Sequence, residues 1–376
     1  MHLSEQEILY WLKEDDTNRL RVLYEQADRV RRENVGDAVH LRGLIEISNI
    51  CSRECGYCGL RADNQGVERY RMSREKILEC VRQAVEYGYG TVVMQSGEDY
   101  GITREWMSDL IRVIKTETPL AVTLSLGERP DEDLTAWRDA GADRYLLRFE
   151  TSDPDLYRLI HPAPKGRPAR DRIAMLRRLR ELGYEAGSGV MVGIPGQTWA
   201  SLAHDILLFQ ELDLDMVGVG PYIAHPATPL GSGATLPAAP PGEQVPNSEE
   251  MTYKVVALTR LVCPQANIPS TTALATLNLA QGRELGLQRG ANIVMPNLTP
   301  PQYRVLYEIY PAKACIQEDA VACHTCMKAR IRSIGRTVGA GPGSRRKGRK
   351  KRNNAAGDVG ETDYGDRDNE STTKII

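Results

Sequence analysis

A chain of 376 residues is long enough for one large domain or two ordinary ones, and its 41% apolar residues can fill a sizeable core. With 26% charged residues and a formal net charge of -2, no polyelectrolyte partner is held by net charge alone, and no nucleic acid is expected. The longest apolar runs, such as Val190–Val192, are far too short to cross a bilayer, so no membrane association is expected. The opening stretch Met1–Glu7 lacks the basic-then-apolar order of a secretion signal, which makes the cytoplasm the expected location.

Residues 4–33 carry Ile8, Leu9, Trp11, Leu12, Leu20, Val22 and Leu23 at helical spacing. Short apolar runs then alternate with amphipathic stretches. The runs predict strands at Leu44–Ser48, Thr91–Gln95, Ala121–Leu126, Tyr145–Phe149, Gly189–Gly193, Met216–Pro221, Ile268–Thr272 and Asn292–Pro296. Between them Ser73–Tyr87 illustrates the helices: Ser73 caps it, Glu75 suits its first turn, and Ile77, Val81, Ala84 and Val85 share a face, with Gly88 as a stop. Eight such units fit an α/β fold, a complete (β/α)8 TIM-type barrel, with a doubly wound open sheet as the competing arrangement. Either fold puts its chemistry at the C-terminal ends of the strands.

The expected organisation is an N-terminal helical extension over 1–38, the barrel over 39–312, and a C-terminal segment over 313–338. A disordered charged tail over 339–376 follows. Residues 231–247, rich in Gly, Pro and Ala, read as a long surface loop. The tail opens Gly-Ala-Gly-Pro-Gly-Ser and continues into the basic run Arg345–Arg352, broken only by Gly348, with almost no apolar residues after it.

Six of the eight cysteines fall into two clusters, Cys51, Cys55 and Cys58, and Cys315, Cys323 and Cys326; Cys80 and Cys263 stand alone as packing residues. In a reducing compartment clustered cysteines bind metal more often than they pair. The first cluster has the spacing C-x3-C-x2-C and starts three residues after the first predicted strand. Three thiolates on one loop can grip three corners of an iron–sulfur cluster. Structural zinc takes four ligands, and no further Cys or His lies near in sequence. One metal corner is therefore left open.

With Tyr57 before its last cysteine, this loop resembles the signature of the radical S-adenosylmethionine (SAM) superfamily. The resemblance implies a 4Fe–4S cluster on Cys51, Cys55 and Cys58 whose open iron chelates SAM, and reductive cleavage of SAM to a 5′-deoxyadenosyl radical. It also points to a cofactor site. Met94–Asp99 resembles the superfamily's Gly-Gly-Glu turn in variant form, with Gln95 and Ser96 in its first part. Ser125, Glu128, Arg148 and Glu150 lie at later strand ends, where a carboxylate accepts from ribose or amine, and Arg172 can pair with the SAM carboxylate. Met191 offers soft contact to adenine, and Tyr57 and Tyr307 are placed on the cofactor side.

Arg42–Asn49, Cys58–Asn64, Gln95–Asp99, Thr123–Glu128, Gly141–Arg148, Pro195–Thr198, Asn267–Thr272, Met295–Asn297 and Tyr303–Tyr310 together resemble the FeFe-hydrogenase maturase HydE family, over about residues 35–335. That family implies a role in assembling the diiron subcluster of the hydrogenase H-cluster. The implied substrate is a small iron-containing or amino-acid-derived species, the partners are other hydrogenase maturases, and the electron donor is a ferredoxin or flavodoxin. Thr123, Arg148, Thr271, Thr272 and Asn297 are the implied substrate groups. Cys315, Cys323 and Cys326 resemble an accessory 2Fe–2S or 4Fe–4S site of some members, with a zinc site completed by His324 as the other reading. Phe149 departs from the family, which often has His there.

Three alternatives remain open at this point. A biotin synthase-like sulfur inserter needs strand cysteines, which the predicted strands lack. A methylornithine synthase-like mutase or an iminoacetate-forming lyase shares loop and barrel. A non-enzymatic iron–sulfur scaffold would need no SAM pocket.

Overall fold

The computed structural model describes residues 3–163, 170–233 and 238–345. The helical run near the N-terminus is two helices, Glu5–Lys13 and Thr17–Val35, rather than one. Ser4 and Glu7 form a reciprocal capping box on the first, and the Asp16 side chain caps the second by accepting from Arg19 N at 2.9 Å. The acidic turn breaks the run because Glu14 Oε1 accepts from the backbone of both Asp15 and Asp16, which suits a helix start better than a helix interior. Both helices pack on Glu249–Val262, whose buried Lys254 donates to the Leu12 carbonyl.

Eight strands follow: β1 Ala38–Ser48, β2 Thr91–Ser96, β3 Ala121–Ser125, β4 Arg144–Leu146, β5 Glu185–Val192, β6 Met216–Pro221, β7 Ile293–Val294 and β8 Thr337–Val338. They are parallel, in the order β6-β5-β4-β3-β2-β1-β7, with β8 beside the start of β1. This is the α/β, TIM-like sheet that alternating strands and helices predict. Helix Arg74–Glu86 is capped by Ser73 as its sequence predicts, and Gly88 follows in the left-handed region at φ 71°.

The strand expected over Ile268–Thr272 does not form. Single parallel bridges, Met216 to Asn267 and Pro269 to Ile293, take its place between β6 and β7. Pro269 has no N–H to give a ladder, and Thr271 instead caps the helix Thr272–Leu277. β4 is also shorter than the expected Tyr145–Phe149: its ladder to β5 stops at Leu146 and resumes only as a single bridge from Glu150 to Val190, where Glu150 takes a left-handed φ of 65°.

The tail does not begin its disorder at Gly339. Residues 339–345 lie across the N-terminal ends of the strands and are tied there by side chains. Arg144 donates to the Pro342 carbonyl (3.1 Å) and to Ser344 Oγ (2.8 Å), while Thr91 reaches Pro342 O at 3.1 Å. Arg42 and Asn267 both donate to the Gly343 carbonyl. Composition misleads here because backbone carbonyls, not apolar side chains, anchor the segment. Residues 346–376, where the rest of the expected disorder falls, lie outside the described residues.

Candidate functional site

The cysteine loop leaves β1 at the C-terminal end of the sheet, and four other segments fix its backbone. Ser52 N donates to Glu98 O (3.0 Å), Gly56 N to Ile160 O (2.8 Å), Gly59 N to Ile309 O (3.0 Å), and Leu230 N to Gly56 O (3.0 Å). Arg53 N and Glu98 N both point at Cys51 Sγ, at 3.4 and 3.3 Å. The turn after β2 reaches this close because Gly97 has no side chain. A Cβ there would fall 2.3 Å from Ile50 O and 2.8 Å from Cys51 Cβ.

Burial pushes all three thiols up, Cys58 to about 12, and for Cys55 and Cys58 the neighbouring thiols add to it. Crowded, buried thiols that disfavour their own ionisation are relieved by a cationic guest. Among the described residues no three His, Cys, Asp or Glu side chains form a group that could hold one metal ion. Three thiols on one short loop match the cysteine ligation of an iron–sulfur cluster. The residues present therefore fit such a group.

Beside Cys58 lies a cavity of about 340 Å³ at the strand ends. Tyr57, Gln95, Ser125, Glu150 and Met191 line it, as do Thr123, Arg148, Thr271 and Thr272. Glu150 pairs with Arg148 at 3.0 Å. The Thr123 hydroxyl is buried without a hydrogen-bond partner.

Three expected residues stand behind the wall instead. Tyr307 receives a hydrogen bond from Gln95 at 3.2 Å, and Asn297 donates to Glu46 Oε2 at 3.0 Å. Arg172 is absorbed into a buried ionic network. Its Nε donates to Glu128 Oε1 (2.8 Å) and its Nη1 to Arg148 O (2.7 Å). Arg53 joins Glu128 at 3.3 Å and Glu98 at 3.8 Å. His161 sits between the guanidiniums, with Arg53 2.7 Å from Nδ1 and Arg172 2.5 Å from Nε2. Burial first and then these two charges hold its pKa well below the ordinary imidazole value. A neutral imidazole accepts at one ring nitrogen only, so one of the two approaches is a contact rather than a hydrogen bond.

Sequence reasoning missed three charged groups of the cavity wall: Arg42, Glu46 and Lys313. Glu46 had a signal, a carboxylate inside the otherwise apolar run Leu44–Ile47. Its ion-pair partner, Lys313, is 267 residues away and had none. Arg42 sits at the deep end, 4% exposed, with Nη1 2.9 Å from the Met216 sulfur and Nε unpartnered.

The second cysteine group is built differently. Cys323 and Cys326 lie on the helix Ala320–Ser333, and Cys315 on the loop before it, at a left-handed φ of 62°. The thiols of Cys315 and Cys323 share a hydrogen bond that holds Cys323 below, and Cys315 above, the ordinary value. Arg330 Nε approaches Cys326 Sγ at 3.4 Å. His324, the alternative zinc ligand, stacks on Tyr87 with ring centroids 4.4 Å apart and meets Tyr89 OH at 3.0 Å.

Comparison with known proteins gives one family model, the radical SAM superfamily, over residues 45–209. The chain is 46% identical over 325 residues to the FeFe-hydrogenase maturase subunit HydE of Thermotoga maritima, covering 86% of this chain and 89% of that one. Among solved structures it resembles methylornithine synthase, with a TM-score of 0.76 at 24% identity over 90% of this chain and 95% of the other. It also resembles the FeFe-hydrogenase maturase HydG of Carboxydothermus hydrogenoformans, with a TM-score of 0.65 at 21% identity over 80% and 68% of the two chains. These last two likenesses concern the fold. No helix among the described residues is long and apolar enough to cross a membrane.

Proposed function

The chain belongs to the HydE family of FeFe-hydrogenase maturases within the radical SAM superfamily, and from that membership we propose how its residues divide the work. It is a radical SAM enzyme of H-cluster maturation. Cys51, Cys55 and Cys58 hold the 4Fe–4S cluster, which when bound supplies the electron that cleaves SAM to the 5′-deoxyadenosyl radical. The observation that carries this is the three-thiol loop, fixed by four other segments and opening beside Cys58 onto a cavity at the strand ends.

Tyr57, Gln95, Ser125, Glu150 and Met191 form the SAM side of that cavity. Glu150 accepts from SAM, held in place by Arg148, and Met191 packs against the base. Arg172 and Tyr307 act one layer back: Arg172 fixes the Arg148 carbonyl, and Tyr307 orients the Gln95 amide. Thr123, Arg148, Thr271 and Thr272 face the substrate, and Asn297 positions Glu46. Arg42 has no carboxylate partner among the described residues, which favours a small anionic substrate reaching the deep end. The substrate is an iron-containing or amino-acid-derived species passed between maturases, with a ferredoxin or flavodoxin as electron donor in the cytoplasm.

A complete barrel is supported by the two bridges through Asn267 and Pro269. An accessory iron–sulfur cluster at Cys315, Cys323 and Cys326 is supported by their proximity to Arg283 and Arg330. Sulfur insertion is disfavoured because no strand among the described residues carries a cysteine.

The test is 5′-deoxyadenosine formation from SAM by the reconstituted, reduced protein. Activity that vanishes in Cys51→Ala supports the reading. Absence of product in the unaltered protein, loaded with cluster and reduced, overturns it.

A further inference from the structure

Helix Trp199–Glu211 carries a carboxylate that neither the fold nor the cavity accounts for. Asp205, on this helix, is fully buried. Its Oδ1 accepts twice from one residue, from Ser152 N at 2.6 Å and from Ser152 Oγ at 2.5 Å. Its Oδ2 has no partner in good hydrogen-bond geometry, with only the Gln197 side chain close enough to favour the charged form. A half-satisfied carboxyl in an apolar interior costs stability. An apolar residue would fill the helix face at lower cost, so the position asks for a role.

Ser152 lies two residues beyond Glu150, and Glu150 is the strained point of the cavity wall. At φ 65° it occupies the left-handed region, which L-residues other than glycine enter at a cost. That conformation turns the Glu150 side chain to the cavity while its backbone still pairs with β5, through Glu150 N to Gly189 O (3.1 Å) and Met191 N to Glu150 O (3.3 Å). β5 holds one side of the kink, and Asp205 holds the other by fixing Ser152. Two residues before the same helix, a second buried side chain braces the next strand end. Gln197, also fully buried, accepts from Gly193 N (2.7 Å) and donates to Met191 O (3.1 Å).

We propose that Asp205 is a positioning residue for SAM: by clamping Ser152 it keeps Glu150 in its left-handed conformation, with its carboxylate turned into the cavity. This rests on the reading of Glu150 as a SAM contact. Asp205 touches neither SAM nor substrate and acts only through the Glu150–Ser152 turn.

The experiment measures equilibrium SAM binding to the cluster-loaded protein, together with amide hydrogen exchange over Thr151–Asp153 in the SAM-free protein. In Asp205→Ala the Kd for SAM is expected to rise about tenfold and exchange at Ser152 to accelerate. Asp205→Asn keeps an oxygen where Oδ1 stands and is expected to restore both, whereas Asp205→Leu fills the volume without an acceptor and is expected to restore neither; recovery in Asp205→Leu would reduce the residue to packing and refute the clamp. Ser152→Ala removes one of the two bonds at a half-buried position, and a Kd raised about threefold there keeps the test open should Asp205→Ala not fold. Glu150→Gln is the control. If it weakens SAM binding while Asp205→Ala and Ser152→Ala do not, the clamp is refuted and the SAM reading stands. If Glu150→Gln binds SAM normally, the SAM reading of Glu150 fails and the proposal with it.

Discussion

Gly90→Ala is the sharpest probe of the segment that closes the N-terminal end of the strands. A Cβ on Gly90 would lie 1.8 Å from the Gly341 oxygen and 2.6 Å from Pro342 N. Both are backbone atoms that cannot swing aside, so residues 339–344 must leave their seat; Arg345, beyond them, is tied separately to Asp213 and Asp215. The lost contacts are the guanidinium bonds of Arg42 and Arg144 and the neutral bonds from Thr91, Asn267 and Gly339. At about 2 kcal/mol for each charged and about 1 for each neutral bond, they stabilise the seated segment by roughly 9 kcal/mol. Ordering six residues opposes this by about 6 kcal/mol at the low end of the backbone entropy. The net is about 3 kcal/mol. For a chain of this size that moves the melting point by only a few degrees, so the decisive assay is local. In Gly90→Ala, protease cleavage near Gly341 and amide exchange at Gly339 should rise steeply. Combining Gly90→Ala with truncation after Val338 should destabilise no further than truncation alone, because both remove the same contacts. A Gly90→Ala protein whose segment stays protected would refute the reasoning.

Two further outcomes follow from buried charge. Lys313→Met strips the 1%-exposed Glu46 of its cation and should cost about 3–5 kcal/mol in chemical denaturation, while adding Glu46→Gln should recover most of it. Burial raises the Asp205 carboxyl from 3.8 to about 7, so between those values the folded state keeps a proton that the unfolded chain releases. Stability relative to Asp205→Asn should therefore fall as pH rises from 4 to 7, by about 4 kcal/mol at most, and level off above that; a flat difference across this window would contradict the assignment.

What the sequence made legible was local. The Ser73 cap, the Gly88 stop and the C-x3-C-x2-C spacing are each decided within a dozen residues, and each is present as read. Strand positions were legible where a run of apolar residues is buried on both faces, as in β2 and β3. They failed where the backbone had other work, at Pro269 and Thr271, where a cap replaced a ladder. The charged floor and wall were not legible, because Arg42 meets Gly343 301 residues away and Glu46 meets Lys313 267 away. No periodicity reports such pairs. The strained turn at Glu150 was hidden for a related reason: its support comes from Asp205, on the helix of the next strand–helix unit, 53 residues beyond Ser152.

The two cysteine groups share a ligand type but differ in how they are held, and that difference sets what removing a thiol does. Cys51, Cys55 and Cys58 sit on a loop tied to four other segments, so their occupant and the cavity beside it are one construction. The second group depends on one helix and the loop before it, and none of its three cysteines lines the cavity. Cys323 is 2% exposed and bonded chiefly to Cys315, so Cys323→Ala removes one thiol and a small packed volume. The expected cost is about 1 kcal/mol, felt along Ala320–Ser333. SAM binding and 5′-deoxyadenosine formation should stay within about twofold of the unaltered protein, since a twofold rate change is well under 1 kcal/mol of barrier. Iron content should fall by no more than the share of a cluster held at Cys315, Cys323 and Cys326. If Cys323→Ala instead abolished SAM cleavage while keeping the iron of the first site, the second group would have to take part in the chemistry, and its accessory standing would be wrong.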